Sequence, residues 1–534
     1  MEKYTTEIKD VKEIENLHDF YTYSLSTENG KKNLKITIQK SQFVDLLNRL
    51  NFFTYCINRE KVRNIYINDN RAIPVDDNIL FSELIKYIKS LPTREVKILD
   101  KSTKDTETGE YESIPFNITP KKIIDAVINN SSNLSVKSNF FFLNLIDDTE
   151  FQHDTADKKF FYFNNVIAEI EKGAALKFYD YKALTSKVWE NNIINRDFAY
   201  TERKGDFEQF FEKITGQDNE RKKSLMSMLG YLLHNYFFYD LSAIYLTDVN
   251  LNNDERAGGT GKGILYKALR EVLNRNIHND SVFTRLDGNK YSKENKYYFQ
   301  QINIDTQVVA IDELKKNYDV STFMTEVTEG FTVEKKHLPS FHHFAKILFT
   351  TNFAPNFKDD SDKRRALIFE LSNYYSAKLR PSDEFNKWFF GIDWDSADWN
   401  EFYSFMIRCA NEFLQNGITQ VEEINYNQRV ILQVTCEEFV EWIEDKFSPY
   451  IYDRTETKFY KDDLYSDYVS KNSETLNKYK EPKRKFYEWV RTYCQKMSYS
   501  FDEFRSTTDE FYLFPTKETK QKCFMKKSKN KTLF

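Results

Sequence analysis

The 534-residue sequence lacks the cysteine patterns of a metal or disulfide site. Its five cysteines are scattered, with no C-x-x-C pair and no neighbouring histidine cluster, which argues against a zinc ribbon and a disulfide framework. It also lacks a long apolar run, because the longest one, in residues 228–246, is interrupted by His234 and Asp240. The first residues contain no apolar stretch typical of a signal peptide. We therefore expect a soluble protein of a reducing compartment, the cytoplasm, with no membrane partner.

A strongly basic balance is absent as well. The net charge is −5 and the isoelectric point is near 6.0, which argues against a protein that coats DNA nonspecifically. A ring whose basic groups line only its channel is acidic overall, however, so the global charge excludes little else. The apolar share of 40% and the aromatic share of 16% indicate a folded chain, long enough for about three or four domains.

Changes in hydrophobic periodicity divide the chain into five segments. Residues 1–184 alternate strand and helix signals, which predicts an α+β domain whose role the sequence leaves open. Residues 185–240 have apolar residues at three-to-four spacing, which predicts helices. Apolar strands alternate with helices in residues 241–425, which predicts an α/β fold with a mainly parallel sheet. Residues 430–516 combine three helical stretches with two strand candidates, as in a winged helix, and residues 517–534 form a basic tail.

A glycine-rich loop in residues 256–263 lies between a predicted strand and an amphipathic helix, the context that a phosphate-binding loop requires. Glycines let backbone N–H groups turn toward phosphates, and Lys262 would neutralise the β- and γ-phosphates of ATP. The candidate nucleotide-binding residues are Gly258, Gly259, Thr260, Gly261, Lys262 and Gly263. Arg256 replaces the first glycine of the usual motif, and Gly263 replaces the hydroxyl residue that ligates Mg²⁺. Metal binding would therefore be weaker or mediated by water, and a glycine turn that caps a helix is the alternative.

Two carboxylates follow a second apolar strand. Residues 308–311 are continuously apolar, as in a buried parallel strand, and Asp312 and Glu313 come directly after them. Open α/β sheets bind ligands at this carboxyl end. Asp312 would hold Mg²⁺, directly or through water, and Glu313 would polarise the attacking water in phosphoryl transfer. The alternative is a strand that ends in two solvated acids.

An amide and two arginines follow the next apolar strands. Asn352 comes after residues 347–351, where its side chain would orient the same water, and the alternative is an ordinary turn residue. Arg364 and Arg365 precede the apolar residues 366–369. Either arginine would reach a neighbouring subunit's site as an arginine finger, and the alternative is a surface pair that faces nearby aspartates.

In order and spacing, these four segments resemble the superfamily 3 helicases of the AAA+ class, in particular the helicase part of phage, plasmid and large-virus primase-helicases. Lys262 and Asn352 are 90 positions apart, a compactness that is more specific than any one motif. The likeness covers residues 185–375 well, extends loosely to the C-terminal segment and hardly reaches the first 150 residues. It implies a P-loop NTPase core with ATP and Mg²⁺ as cofactors and a helical collar for oligomerisation in residues 185–240. It also implies a hexameric ring that translocates 3′ to 5′ on one DNA strand.

Two groups of basic residues are candidates for DNA contacts. By resemblance, a DNA-contacting hairpin corresponds to residues 330–337, and its candidates are Lys335, Lys336 and His337. Lysines follow a phosphate backbone without reading sequence, which suits a translocating motor. The candidates on one predicted helix of the winged-helix segment are Lys483, Arg484 and Lys485. The alternative for both groups is a solvated surface.

Together these features predict an ATP-dependent hexameric DNA helicase that replicates a phage, plasmid or other mobile element in the cytoplasm of a bacterial host. Its expected partners are single-stranded and forked DNA, further copies of itself, and a primase or another replisome protein. In residues 1–184, Asp69 and the pair Asp147 and Asp148 lack the partner set of a primase site, so no primase activity is assigned.

Two other functions fit the same motifs. One is an AAA+ initiator or loader that binds DNA and ATP without processive unwinding. The second is an ATP-gated assembly protein with negligible hydrolysis, because Gly263 lacks the metal-binding hydroxyl.

Overall fold

The computed structural model describes residues 20–28, 31–57, 60–104, 111–139, 142–238, 242–250, 259–273, 282–292, 294–315, 318, 320–355, 357, 360–453, 457–499, 501–505 and 510–514. Its strands are β1 (Tyr21–Glu28), β2 (Lys31–Ile38), β3 (Phe52–Ile57), β4 (Glu60–Asn68), β5 (Arg71–Pro74), β6 (Arg94–Lys104), β7 (Tyr111–Ile118), β8 (Leu145–Asp147), β9 (Lys158–Phe163), β10 (Ile167–Glu171), β11 (Lys177–Tyr179), β12 (Val188–Trp189), β13 (Ile193–Ile194), β14 (Ala243–Asp248), β15 (Phe283–Asp287), β16 (Val308–Asp312), β17 (Phe331–Val333), β18 (Phe341–His343), β19 (Lys346–Thr350), β20 (Ala366–Leu371), β21 (Thr457–Tyr460), β22 (Asp502–Arg505) and β23 (Glu510–Phe514). Its helices are α1 (Lys40–Arg49), α2 (Asp77–Ser90), α3 (Pro120–Asn129), α4 (Val136–Asn139), α5 (Asp206–Ile214), α6 (Asn219–Leu233), α7 (Lys262–Leu273), α8 (Met324–Glu329), α9 (Asp360–Arg364), α10 (Pro381–Phe385), α11 (Ser396–Asn416), α12 (Tyr426–Val434), α13 (Glu437–Asp453), α14 (Lys461–Lys471) and α15 (Pro482–Lys496). Within these residues, every helix is too short or too polar to span a membrane.

The chain folds into two compact units. One consists of residues 1–153, 165–167 and 178–193, and the other of residues 154–164, 168–177 and 194–534. Residues 158–194 contain a four-stranded sheet in the order β11-β10-β9-β13. The predicted division into five segments, with a first boundary at residue 184, stays a prediction.

The first unit combines helices with two antiparallel hairpins and a mixed sheet, in which β12 and β8 run parallel to their neighbours β5 and β3. β1 pairs with β2 and β6 with β7 in two antiparallel hairpins, and a five-stranded sheet has the order β12-β5-β4-β3-β8. Helices α1, α2 and α3 each bury one apolar face, as amphipathic helices do, and the three faces share one core. The buried residues that these helices contribute are Phe43, Leu46, Leu47, Leu80, Leu84, Ile88, Ile123 and Val127.

The helices of the segment 185–240 begin later than the periodicity predicts. Residues 188–194 form the short strands β12 and β13 with a 3₁₀ turn between them, and α5 begins only at Asp206. Runs of two or three residues carry too little periodicity to distinguish a short strand from a helix. At the start of α6, the Asp218 side chain accepts a hydrogen bond from the Arg221 N–H at 2.9 Å, which caps the helix. α6 then packs along α11.

The core of the second unit is a five-stranded sheet in the order β15-β16-β19-β14-β20. Its neighbouring strands all run parallel, and Ile244 of β14, for example, pairs with Leu348 of β19 and Leu367 of β20. Every residue of β14, β19 and β20 is buried, as expected for a parallel sheet that is covered on both faces. The structure therefore confirms the predicted α/β fold with a parallel sheet.

The connections of this sheet create a crevice beside β14. After β14 the chain crosses through α7 to β15, at one edge of the sheet, whereas after β19 it crosses to β20, at the opposite edge. In open α/β sheets, ligands bind outside the carboxyl ends of the strands where the connections diverge in this way. The crevice here lies at the ends of β14 and β19, with β16 next to β19.

The C-terminal part of the second unit has a core of its own. α13, α14 and α15 pack with a three-stranded antiparallel sheet in the order β21-β23-β22. The sequence predicts two strands here, and the structure adds β21, which pairs with β23. The elements from α13 onward follow the order helix, strand, helix, helix, strand, strand. The predicted basic tail in residues 517–534 lies outside the described residues.

Candidate nucleotide-binding site

The glycine-rich loop leads from β14 into α7. Of the predicted motif, Arg256 and Gly258 lie outside the described residues, and the description resumes at Gly259. Gly259 and Gly261 have φ angles of 102° and 112°, which residues with a side chain rarely adopt. A Cβ atom on Gly261 would also lie 2.8 Å from the ring of Phe210. The loop therefore needs glycine at both positions.

Asp248, the last residue of β14, holds two side chains of this loop. Lys262 Nζ lies 2.5 Å from Asp248 Oδ2, and the Thr260 hydroxyl donates a hydrogen bond to Oδ1. Asp248 is only 2% exposed, so its charge depends on these partners for stabilisation. Burial lowers the pKa of Lys262, and the charge of Asp248 opposes that shift. A buried carboxylate thus holds the lysine that a phosphate would require.

Asp312, at the end of β16, accepts hydrogen bonds on both carboxylate oxygens. Arg285 of β15 donates to Oδ2 from Nε at 3.0 Å and from Nη2 at 2.6 Å. The Thr350 hydroxyl, at the end of β19, donates to Oδ1. The hydrogen bond to Asp312 raises the pKa of Arg285 above its usual value. Both carboxylate oxygens of the predicted metal ligand therefore accept hydrogen bonds from protein groups in this structure, and a carboxylate has room for about one further partner.

Glu313 has an unusual backbone conformation. Its φ angle is 60°, in the left-handed region that a residue with a side chain seldom occupies. Its side chain is exposed, and Asn289 Nδ2 donates a hydrogen bond to Glu313 Oε2 at 3.3 Å. Backbone strain of this kind is concentrated at functional sites, where the surrounding structure holds it in place. The conformation favours a functional role for Glu313 over a simple solvated strand end.

Asn352 lies on the loop after β19, and α12 holds this loop in place. The Asn352 carbonyl accepts a hydrogen bond from Arg429 Nη2 at 2.7 Å. Gln433 Oε1 accepts a hydrogen bond from the Ala354 N–H at 2.5 Å, and Gln433 Nε2 donates to the Ala354 carbonyl at 3.0 Å. Asn352 itself lines the cavity next to these contacts.

One cavity of about 1200 Å³ collects these residues. Its lining includes the predicted residues Gly259, Thr260, Gly261, Lys262, Gly263, Asp312, Glu313 and Asn352. A further part of the lining comes from the segment after β20 and consists of Ser376, Ala377, Arg380, Pro381, Ser382, Lys387, Trp388, Phe389 and Phe390. The structure thus brings together the loop, both carboxylates and the amide, in a space large enough for a ligand of nucleotide size.

The carboxylates at this cavity fit a Mg²⁺ ion that is shared with a substrate. Mg²⁺ commonly binds one or two carboxylates together with phosphate oxygens and water. Asp312 and Glu313 offer carboxylate oxygens, whereas Gly263 lines the cavity without a side chain. Within the described residues, no three histidine, cysteine, aspartate or glutamate side chains come together as a metal cluster. A Mg²⁺ ion held by Asp312 would therefore take its other ligands mainly from phosphate and water.

Comparisons with known proteins match parts of this chain. The model of a family of unknown function, DUF5906, matches residues 256–365, from the glycine-rich loop to Arg365. A search of curated proteins finds no significant match. Among solved structures, an apo C-terminal region of NrS-1 is 9% identical, with 67% of this chain and 96% of that chain covered and a TM-score of 0.30.

Two further structures are also similar to this chain at low TM-scores. Another apo structure of the NrS-1 C-terminal region is 12% identical, with 83% of this chain and 100% of that chain covered and a TM-score of 0.32. NtrX from Brucella abortus in complex with ADP is 11% identical, with 43% of this chain and 50% of that chain covered and a TM-score of 0.21. Likenesses this weak assign no function, so the assignment has to come from the geometry of the cavity.

The predicted arginines lie at the other end of the sheet. Arg364 ends α9, and Arg365 directly precedes Ala366, which pairs with Ala243 at the start of β14. The cavity lies at the opposite end of β14, which is six residues long. A strand of that length spans roughly 20 Å. Neither arginine lines the cavity of its own chain.

The basic residues of the predicted hairpin lie in the turn that joins β17 to β18. Lys335 Nζ lies 5.6 Å from the centre of the Phe341 ring, and Lys336 Nζ lies 5.9 Å from the centre of the Tyr297 ring. His337 has a φ angle of 62° and, like Lys336, is exposed. The turn is therefore accessible to a ligand, and the cation–π contacts of its two lysines are weak interactions that a ligand could replace.

Of the basic residues predicted on α15, Lys483 and Arg484 are exposed and Lys485 is half-buried, and all three are paired with acids. The pairs are Lys483 with Asp462 at 2.7 Å, Arg484 with Glu481 at 3.1 Å, and Lys485 with Glu488 at 3.3 Å. These acids reduce the positive charge at the start of α15. A role of these residues in DNA binding stays a prediction.

The predictions miss Asp248, Arg285 and Arg429, charged residues that contact predicted residues of the site. They contact Lys262, Asp312 and Asn352, from which they are separated by 14, 27 and 77 positions along the chain. Asp248 ends an apolar strand, as Asp312 does, and this shared signal would have identified it. The two arginines carry no comparable signal, because their positions depend on how β15 and α12 pack.

Proposed function

We propose that the second unit is an ATP-hydrolysing motor of the AAA+ class, and that the protein unwinds DNA during replication of a phage, plasmid or other mobile element. The observation that carries this proposal is the convergence of the glycine-rich loop, two carboxylates and an amide on one cavity at the carboxyl ends of parallel strands. A glycine turn that only caps a helix, or a strand that ends in solvated acids, would not require this convergence.

In this proposal the phosphates of ATP bind at the start of α7. Backbone N–H groups and the positive end of the helix dipole favour an anion there. Lys262 turns from Asp248 toward the β- and γ-phosphates, while the Thr260 hydroxyl keeps its hydrogen bond to Asp248. The loop and Lys262 together neutralise much of the phosphate charge.

Hydrolysis of ATP requires a positioned water and stabilised charge rather than a covalent intermediate. Glu313 accepts a hydrogen bond from the attacking water and takes its proton, and the Asn352 side chain orients that water. Asp312 and the phosphates would hold Mg²⁺, which stabilises negative charge on the phosphates when it is bound. Arg285, which donates to Asp312 and lines the cavity, would supply a further positive charge there.

The adenosine half of ATP would lie against the segment after β20. A Cβ atom on Gly259 would lie 3.4 Å from the backbone of Ser376, so this segment packs directly on the glycine-rich loop. Trp388 lines the cavity together with Phe389 and is 65% exposed. Because exposed aromatic rings stack favourably on other flat rings, we assign Trp388 to contact with the base.

The position of Arg364 and Arg365 supports an assembly of several copies. Both arginines lie away from the cavity of their own chain, so an arginine finger here would act in a neighbouring copy. The resemblance to superfamily 3 helicases implies a hexamer, with helices of the segment 185–240 as the collar.

The proposed DNA contacts lie outside the cavity. The exposed turn with Lys335, Lys336 and His337 suits a channel that follows a phosphate backbone. The order of elements from α13 to β23 supports a winged-helix-like domain, in which α15 would approach DNA. We propose 3′ to 5′ translocation on single-stranded and forked DNA in a bacterial cytoplasm, with a primase or another replisome protein as a further partner.

ATP hydrolysis measured with and without single-stranded DNA tests this function. Wild type is compared with Lys262→Ala, Lys336→Ala and Lys86→Ala, the last being an exposed lysine of α2 that serves as the control. We expect DNA to stimulate hydrolysis by the wild type and by the control. Lys262→Ala should abolish hydrolysis, and Lys336→Ala should lose most of the stimulation.

Other outcomes lead to the alternatives. Hydrolysis that is indifferent to single-stranded DNA, together with a preference for duplex DNA, would favour the AAA+ initiator or loader. Binding of ATP without hydrolysis would favour the ATP-gated assembly protein. That function fits Gly263, which replaces the hydroxyl residue that ligates Mg²⁺ in the usual motif. A chain that does not bind ATP would contradict the proposal.

A further inference from the structure

Arg429 of α12 is a buried cation beside the candidate nucleotide site. Its side chain is 1% exposed, and Nη1 lies 3.7 Å from Glu370 Oε1, an ion-pair distance rather than a hydrogen bond. Nη2 is satisfied by the Asn352 carbonyl. Within the described residues, Nε and Nη1 are buried without a hydrogen-bond partner. Unsatisfied N–H donors of a guanidinium in a protein interior cost free energy, so Arg429 has unused capacity to bind an anion.

The charges of Arg429, Asp248 and Lys262 act on one another. Burial lowers the pKa of Arg429, and the negative charges of Glu370 and Asp248 oppose that shift. The positive charge of Arg429 in turn contributes to the lowered pKa of Lys262. Lys262 contacts the buried carboxylate of Asp248. Arg429 lies near it as well, because its ion-pair partner Glu370 directly precedes Leu371, which pairs with Asp248 across β20 and β14.

Nucleotide binding would disturb this arrangement. When Lys262 turns toward phosphate, Asp248 keeps the Thr260 hydroxyl but loses the cation in contact with it. Water cannot replace that cation, because Asp248 is almost fully buried. We propose that Arg429 is a positioning residue that moves onto Asp248 when Lys262 leaves it, so that nucleotide binding draws α12 toward β14. This inference rests on the proposed function, since it requires Lys262 to bind phosphate.

α12 connects the nucleotide site to the C-terminal part of the second unit. At the start of α12, Asn425 Nδ2 donates a hydrogen bond to the Val249 carbonyl at 2.7 Å, directly after β14. Tyr426 belongs to the core of the parallel sheet, whereas Ile431 belongs to the core of α13, α14 and α15. A shift of Arg429 therefore reaches the candidate DNA-binding elements through one short helix. The exchange of cations on Asp248 would couple nucleotide binding to DNA binding.

A double-mutant cycle tests the exchange. The dissociation constant of a fluorescent non-hydrolysable ATP analogue is measured for the full chain, for Arg429→Met, for Asp248→Asn and for the double variant. We expect Arg429→Met to weaken binding about tenfold when Asp248 is present, because the bound state loses a charge-assisted hydrogen bond. In the Asp248→Asn background, the same change should weaken binding less than about twofold, because no buried charge needs compensation. Arg429→Lys, which keeps the charge, should restore part of the affinity.

The controls separate this inference from its premise. Equal losses of affinity in the two backgrounds would show that Arg429 only supports the fold and would overturn the inference. If thermal unfolding shows that Arg429→Met is not folded, the affinity of Arg429→Lys is measured with Asp248 present and in the Asp248→Asn background. Equal losses of affinity in these two backgrounds would again overturn the inference. A wild-type chain that fails to bind the analogue contradicts the proposed function and the inference with it. A wild-type chain whose binding is lost in Lys262→Ala, but which shows equal losses at Arg429, contradicts the inference alone.

Hydrogen exchange supplies a readout that a purely structural role would not change. In the wild type, the analogue should alter the protection of backbone amides in α12 and α13. Arg429→Met should remove most of this nucleotide-dependent change. If the analogue leaves α12 unchanged in the wild type, the coupling through α12 is refuted.

Discussion

Two ion pairs of the second unit, one at the cavity and one on α15, differ in how far their side chains are exposed to water. The side chains of Lys262 and Asp248 are 13% and 2% exposed, whereas those of Lys483 and Asp462 are 50% and 73% exposed. Removing one partner of a buried pair costs about 3 to 5 kcal/mol, because the other charge is left without compensation. Water screens an exposed pair, whose contribution is about 1 kcal/mol or less. The stability of the buried Lys262–Asp248 pair therefore depends on both partners, whereas Lys483 on α15 can leave its partner for a ligand at little cost.

The largest expected effect is on the rate of ATP hydrolysis and comes from Glu313, the proposed proton acceptor. Glu313→Gln keeps the shape of the side chain and removes the proton acceptor. We expect ATP hydrolysis to fall at least about 100-fold, while the affinity for an ATP analogue changes little. Steady-state hydrolysis and equilibrium binding measure the two effects, with Glu329→Gln, an exposed acid of α8, as the control. A fall in hydrolysis no larger than that of the control would refute the role of Glu313.

The second prediction addresses the buried pair itself. All stabilities are measured in the Arg429→Met background, so that no second cation can move onto Asp248. In this background Lys262→Ala should lower the free energy of unfolding by about 3 kcal/mol, because Asp248 remains buried without its contacting cation. The double variant Lys262→Ala and Asp248→Asn should recover most of this loss, because the uncompensated charge is removed. Denaturant unfolding measures both values. Equal stabilities of the single and double variants would show that the Lys262–Asp248 contact does not govern this site.

The third prediction concerns the aromatic part of the cavity. Trp388→Ala should weaken ATP binding about fivefold, because stacking on the base is lost, and should leave the hydrolysis rate at saturating ATP nearly unchanged. Ile392→Ala is a matched control, since Ile392 is a fully exposed apolar residue nearby in the chain that does not line the cavity. Equal affinities of the two variants for ATP would place the base elsewhere.

The smallest effect on folding is expected at α15. Replacement of Lys483, Arg484 and Lys485 by alanine should change the free energy of unfolding by less than about 1 kcal/mol, because two of their ion pairs are exposed and the third, at Lys485, is partly exposed. DNA binding by this variant should weaken, and its dependence on salt concentration should become less steep. Lys471→Ala, an exposed paired lysine on α14, is the control. If DNA affinity and salt dependence match those of the control, the three residues form only a solvated surface.

The parallel sheet is predictable because its strands are buried on both faces. Such strands are continuous apolar runs, as in β16 and β19, and their boundaries identify Asp312 and Asn352 as residues at the carboxyl ends. The start of the helical segment is less predictable, because residues 188–194 form strands of two residues each, too short to show a period. β21 escapes prediction for a different reason, because it leads directly into α14 with no turn residue between the two elements.

The sequence by itself determined the glycine-rich loop, the apolar strands and the acids and amide that follow them, because these signals depend on near neighbours in the chain. Only the tertiary structure decided which groups meet. It places Asp248 against Lys262, Arg285 against Asp312, and Arg429 of α12 against the Asn352 loop. It also places Arg365 at the end of the sheet opposite the cavity. Burial strengthens the contacts of Asp248 and of Arg429, and burial depends on packing between distant parts of the chain.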